Sequence, residues 1–235
     1  KLQGRHWANH PGLEVVETNL TDRNELAELL KGCTAAYYLI HSMITAGRDY
    51  DNVDQTLACN FGHAAKEAGV ERIIYLGGLG ELGGHLSQHL MSRRKVEASL
   101  SESGVPLTVL RAAMIIGSGS ASFEILRYLV ERLPVMVTPR WVRTRCQPIS
   151  ITDALFYLQA CLETPETTGM KLDIGGSKII TYRELMKIVA EELKLPKRYV
   201  VPVPVLTPRL SSYWIHMVTP VGADIARPLA EGLAN

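Results

Sequence analysis

Two hydrophobic patterns alternate along the chain. Ala35 to Ile40, Arg72 to Leu76 and Pro106 to Ile116 are nearly continuous apolar runs of β-formers, the pattern of strands buried on both faces. Between them, apolar residues recur at helical spacing: Leu26, Leu29 and Leu30, then Asp51 to Ala68, then Ser92 to Ser103. Gly32, Gly69 and Gly104 each close one of these helices a few residues before the next strand. Strand and helix in regular alternation predict an α/β fold, a parallel sheet with helices on both faces.

The flanks are less regular. Residues 1–12 read as a loop, Leu13 to Glu17 as a short strand, and Thr21 and Asp22 as caps of the first helix. After Gly117-Ser-Gly-Ser120 the pattern predicts a helix from Phe123 to Leu133, a strand from Val135 to Thr138, and a helix capped by Asp153 that ends near Leu162. Leu172 to Gly176 reads as a strand and turn, and Thr181 to Leu193 as a helix with a Thr181/Glu184 capping box. The proline-rich stretch 201–208 leads to one more helix containing Tyr213 and Trp214. Residues 1–117 are thus expected to form the sheet domain and 118–235 a smaller region, with 146–176 returning to the sheet.

Composition narrows the classes. A chain of 235 residues that is 46% hydrophobic can bury one full core, and a net charge of +1 supplies no field for nucleic acid or an anionic membrane. Cys33, Cys59, Cys146 and Cys161 are too scattered for a disulfide framework or a zinc ribbon, so reduced thiols in a cytoplasmic protein are expected. No run reaches the roughly 20 apolar residues of a membrane helix.

Ligands of open parallel sheets bind beyond the carboxyl ends of the strands, so the strand that empties into Gly77-Gly78-Leu79-Gly80 draws attention first. Gly78-x-Gly80-x-x-Gly83 matches a dinucleotide loop in spacing, but no acidic residue closes the next strand, where Arg111 stands. The preferred reading is that Gly77 and Gly78 let the backbone approach a cofactor whose phosphates are held elsewhere. Tyr37 and Tyr38 alternate across the sheet, one toward the crevice and one toward a helix. Arg140, Arg143 and Arg145 would line one side of a β-like segment and hold an anionic substrate or phosphate, or else form a solvated basic edge. His85 and His89 are spaced as on a metal-binding helix, yet the intervening Glu and a third ligand are missing, so no metal is expected.

Asn19-Leu-Thr-Asp22, Tyr37-Tyr-Leu-Ile-His-Ser42, Arg72 to Gly80, Val109-Leu-Arg-Ala-Ala113, Gly117 to Phe123 and Gln147-Pro-Ile149 resemble successive blocks of an atypical short-chain dehydrogenase/reductase. More narrowly they are similar to the bacterial epimerase-like or NmrA-like subgroup. The tail from Pro204 to Trp214 resembles that subgroup's linker into a further C-terminal domain. The resemblance implies a Rossmann-like fold, NAD or NADP as cofactor, and a small-molecule substrate. It also implies an upstream strand, glycine turn and helix of roughly 30 residues that would hold the pyrophosphate. That first βαβ unit is expected to be missing from this chain.

The resemblance also assigns roles. A Tyr-x-x-x-Lys pair with an upstream Ser transfers the proton in such enzymes; the matching positions here are His89, Arg93 and Gly78, all departures from the pattern. His89 and Arg93 share a helix face, so imidazole as acid or base beside an orienting guanidinium is the expected catalytic pair. Asn19 and Leu20 fall near the adenine, His41 and Ser42 near the nicotinamide ribose, and Arg111 and Ala112 beneath the ring. The expected function is an NAD(P)-dependent oxidoreductase or epimerase-like enzyme. The alternative is a cofactor-binding sensor or assembly module that has lost its chemistry.

Overall fold

The computed structural model describes residues 10–42, 50–80, 87–138 and 140–202. Along the chain run α1 (Arg23–Leu30), β1 (Ala35–Tyr38), α2 (Tyr50–Glu67), β2 (Arg72–Gly78), α3 (Gln88–Glu102), β3 (Leu107–Ala112) and β4 (Ile115–Ile116). There follow α4 (Ala121–Arg132), β5 (Val135–Thr138), β6 (Arg145–Cys146), β7 (Ile149–Ser150), α5 (Ile151–Glu163), β8 (Lys171–Ile174), β9 (Ile180–Thr181), α6 (Tyr182–Glu192) and β10 (Tyr199–Pro202).

The three apolar runs become neighbouring strands of one parallel sheet, in the order β1-β2-β3-β8. Ile73, Ile74, Val109 and Leu110 are fully buried because both faces of the sheet are covered. On one face Ala58, Phe61 and Ala65 of α2 and Val96 and Leu100 of α3 pack on Tyr38, Ile73, Tyr75 and Val109. On the other, Ala154, Leu158 and Cys161 of α5 pack on Ile74, Leu110 and Ile174. Each fully buried aliphatic side chain contributes about 1.5–3 kcal/mol, which is what holds the strand ends in place for the site described below.

A second core joins α4 and α6, with Ile125, Leu129, Met136, Leu185, Met186 and Val189 at its centre. β5 pairs with β10 and β6 with β9, while β4 and β7 link this region to the sheet. The capping box forms as the sequence predicts, with Thr181 and Glu184 each satisfying the other's backbone.

Several sequence expectations are corrected. Leu13 to Glu17 has no strand partner among the described residues, and its apolar side chains are exposed. The run Pro106 to Ile116 is two strands, because the chain leaves the sheet after Ala112 and β4 turns to β7; Met114 O accepts from Ile149 N. Ser150, not Asp153, caps α5, its side chain accepting from Asp153 N. Arg140–Arg143 forms a 3-10 turn rather than a β-like segment, so those arginines do not share one strand face with Arg145. The tyrosines of β1 do alternate across the sheet: Tyr38 is buried against Phe61 of α2 and Tyr75, and Tyr37, exposed on the other face, donates its hydroxyl to Leu158 O of α5. Gly83, His85 and the predicted helix containing Tyr213 and Trp214 lie outside the described residues.

Candidate functional site

The buried face of α2 carries Tyr50, Asp54, Ala58, Phe61 and Ala65 in line. Asp54 is the anomaly in that stripe. Its residue is 1% exposed, and a buried carboxylate is costly unless hydrogen bonds compensate it. The compensation comes from the segment leaving the carboxyl end of β1: Ser42 N donates to Asp54 Oδ1 at 2.7 Å, and His41 Nδ1 lies 3.1 Å from Oδ2. Ser92 of α3 donates its hydroxyl to the same Oδ2 at 3.4 Å. One carboxylate therefore ties the exit of β1 to α2 and α3.

α3 starts earlier than its periodicity predicts, at Gln88, with Ser87 accepting from Leu90 N as its cap. This puts His89 in the first turn, its ring centroid 5.4 Å from that of His41, which also meets Tyr50 edge-on at 6.3 Å. The Nδ1 of His89 is buried and has no hydrogen-bond partner among the described residues. Arg93, one turn on, lies over the end of β2: its backbone oxygen accepts from the Tyr75 hydroxyl at 3.3 Å.

The charges of this cluster are set by its burial. Desolvation pushes the Asp54 carboxyl up, but the hydrogen bonds from His41 and Ser42 outweigh it and leave the group below its ordinary value. Burial, the Arg93 guanidinium and His41 together push the His89 imidazole down to about 3, only partly opposed by Asp54. At neutral pH Asp54 is a charged acceptor and His89 is a neutral ring. Burial raises the phenols of Tyr38 and Tyr75 as well.

Gly77 and Gly78 of β2 pair in register with Arg111 and Ala112 of β3, next to the exit of β1. A Cβ on Gly78 would lie 3.0 Å from Leu90 Cδ2, and one on Gly77 3.1 Å from Tyr75 Cε1. Both positions are tight, Gly78 through the seating of α3 and Gly77 through Tyr75 of β2 itself, so an added methyl would push a neighbouring side chain aside. Arg111 Nε lies 3.5 Å from Asp173 Oδ1 as an ion pair, is buried, and makes no hydrogen bond among the described residues.

His41, Ser42, Gly78, His89 and Arg93 are brought together, and Arg111 and Ala112 lie one strand further along. Asn19 is exposed, its Oδ1 already accepting from Thr21 N and Oγ1, and Leu20 O faces Asn60 Nδ2 at 3.5 Å. Arg143 and Arg145 are exposed in the α6 region. A cavity of about 420 Å³ opens on the α5 side, lined by Leu110, Tyr157, Thr164, Thr167 and Asp173 among others, and none of the predicted residues lines it. Sequence reasoning missed Asp54 and Ser92; the available signal was a carboxylate standing on an otherwise apolar helix stripe.

Residues 3–128 match the family model described as NAD(P)H-binding. The chain belongs to the NAD(P)H-binding family. No curated protein matches it. Its fold is similar to that of a nucleoside-diphosphate-sugar epimerase from Staphylococcus aureus, with 20% identity and a TM-score of 0.72 over 97% of this chain and 77% of that one. It is likewise similar to an NADPH-dependent quinone oxidoreductase from Escherichia coli complexed with NADPH, with 19% identity and a TM-score of 0.74 over 95% and 72% of the two chains. A triphenylmethane reductase from Citrobacter sp., complexed with NADP(H), gives 18% identity and a TM-score of 0.68 over 95% and 76%. Likeness at this identity establishes the Rossmann-like fold, and the family model establishes the nicotinamide dinucleotide as cofactor.

The carboxyl edge of the sheet fits one end of such a cofactor. It lies within the residues matched by the NAD(P)H-binding family and offers two buried nitrogens without a hydrogen bond among the described residues, His89 Nδ1 and the Asp173-paired Arg111 Nε. Leaving such groups unmade costs about 1–3 kcal/mol each, which a polar ligand recovers. No group of His, Cys, Asp and Glu among the described residues is arranged to hold a metal, and no described helix is long and apolar enough to cross a membrane.

Proposed function

We propose that this chain is an NAD(P)-dependent oxidoreductase or epimerase-like enzyme of the atypical, NmrA-like short-chain dehydrogenase/reductase type, acting in the cytoplasm on a small carbonyl or sugar-like substrate. The observation that carries it is the polar cluster around Asp54 at the carboxyl ends of β1 and β2, inside the family-matched region. When bound, the nicotinamide supplies or takes a hydride. His41, Ser42, Gly77, Gly78, Arg111 and Ala112 would hold its ring and ribose, with Asn19 and Leu20 toward the adenine. Arg93 orients an anionic or polar substrate, and His89, held neutral, accepts a hydrogen bond rather than giving up a proton. Arg140, Arg143 and Arg145 are assigned to the substrate side.

A second reading has its own support. Gly78 stands where a catalytic Ser is expected, and the imidazole at the Tyr position is too weakly basic to work near neutral pH. A cofactor-binding sensor needs neither group. Calorimetry with NADH and NADPH, followed by loss of nicotinamide absorbance with menadione as a generic quinone probe, separates the two. Binding with quinone-dependent turnover supports the enzyme, binding without turnover supports the sensor, and no binding of either dinucleotide, by this chain or by one carrying the upstream strand, glycine turn and helix, refutes both.

A further inference from the structure

His41 leaves the carboxyl end of β1 with one ring nitrogen anchored and part of its surface open: its side chain is 25% exposed, whereas that of Asp54 is 1% exposed. An ionised carboxylate only accepts hydrogen bonds. Each group that Asp54 meets must therefore donate to it: Ser42 through N–H, Ser92 through its hydroxyl and His41 through Nδ1–H. This fixes the imidazole as the Nδ1–H tautomer and leaves Nε2, which has no partner among the described residues, as its reactive position.

Building on the enzyme reading above, we propose that His41 is the proton-transfer residue of this site, acting through Nε2, and that Asp54 is the positioning residue that fixes its tautomer and orientation. The other titratable groups of the cluster are eliminated by position. Tyr38, Tyr50 and Tyr75 are buried with their rings in the core. His89 shares its helix with the Arg93 cation, which opposes a second positive charge beside it. No tyrosine occurs in α3. Among the described residues of the cluster, His41 alone combines an anchored ring with exposure at the strand ends.

The step balances for a carbonyl substrate. As the carbonyl carbon receives hydride from the reduced nicotinamide, the C=O π bond breaks and its electron pair moves to oxygen. That oxygen takes the proton from Nε2–H of the His41 imidazolium. The neutral imidazole left behind, still Nδ1–H bound to Asp54, regains its proton from water. In the oxidative direction the neutral ring accepts the alcohol proton at Nε2. The groups facing His41 that set the pH response are Asp54 and Tyr50 from α2 and His89 from α3, with Arg93 one turn behind.

Two measurements test this on the full chain. Long-range proton–nitrogen NMR of the cofactor-free protein, assigned with His41→Gln, reports the tautomer directly. The neutral His41 ring is expected as the Nδ1–H form, and the Nε2–H form there overturns the proposal whatever the enzyme does. With NADPH and menadione, His41→Gln should lower kcat by about 100-fold or more at saturating NADPH and flatten the pH profile. His41→Ala should regain rate with added imidazole, which a merely structural role would not allow. Normal turnover and pH profile in His41→Gln overturn the dyad but leave the enzyme reading standing. NADPH binding by the wild-type chain without turnover overturns the dyad and favours the sensor, and absent binding overturns the functional reading along with it.

Discussion

Replacing Asp54 by Ala removes one acceptor from three donors and leaves a small cavity in the stripe between Tyr50 and Ala58. Ser42 N–H is buried and makes the shortest of the bonds, at 2.7 Å to a charged oxygen; losing it costs about 2 kcal/mol. His41 is partly exposed and recovers some hydration, so about 1 kcal/mol is assigned to it, and the 3.4 Å contact from Ser92 adds little. Relief of the carboxylate's desolvation offsets part of the sum, giving a net loss of about 2 kcal/mol. For a domain of this size that corresponds to a fall in Tm of about 4–8 °C. The internal control is Asp51→Ala, which breaks only the part-exposed pair with Lys95 at 2.6 Å and should cost no more than about 1 kcal/mol. Urea unfolding of both variants beside the wild type measures the difference. The Asp54 carboxyl is lowered in the folded state, so its contribution is complete above the ordinary carboxylate pKa of about 3.9 and fades as pH falls through the lower folded value. The gap between wild type and Asp54→Ala should be constant near neutrality and close only in acid. Equal losses in Asp54→Ala and Asp51→Ala at neutral pH would refute the account of the cluster.

Other expected outcomes follow from the same geometry. His89 is held down to about 3 from 6.5, so the unfolded chain binds the extra proton between those values; stability is complete above pH 6.5 and falls by about 1.4 kcal/mol per pH unit below it, a slope that His89→Gln should remove in urea titrations. Gly78→Ala should cost about 1 kcal/mol, because the Leu90 Cδ2 it meets at 3.0 Å is the movable end of a side chain. Gly176→Ala should cost clearly more in the same assay, because its Cβ would lie 2.5 Å from the backbone oxygen of Pro148. Arg72 donates to Leu162 O at 2.8 Å and to Thr168 Oγ1 at 3.1 Å at the end of α5, so Arg72→Met should cost about 1–2 kcal/mol and speed amide exchange in the last turn of that helix.

The sheet was legible because its strands are buried on both sides: Ile73, Ile74 and Tyr75 leave no alternative to a continuous apolar run, and Gly69 and Gly104, both at positive φ, mark the helix ends. Leu13 to Glu17 looked equally strand-like, but a strand exists only through its partners, and composition alone does not supply them. The start of α3 was misplaced because Ser87 caps it through a side-chain bond that hydrophobic periodicity does not register. Within the site, His41, His89 and Arg93 stood out as unusual residue types at strand and helix ends. Their pairing did not, since His41 meets Asp54 across 13 residues and Ser92 meets it across 38. Asp54 itself was hidden in a polar-looking helix start, Tyr50-Asp-Asn-Val-Asp54, where only the helix face distinguishes it from the more exposed Asp51.

The central claim is that a nicotinamide dinucleotide lies at the carboxyl ends of β1 to β3 against the Asp54 cluster. Hydrogen–deuterium exchange with and without saturating NADPH tests it most directly. Protection concentrated at residues 41–42, 77–80 and 111–112 is predicted. Protection confined to the α5 cavity around Thr164 and Thr167, with those strand ends unchanged, would contradict it.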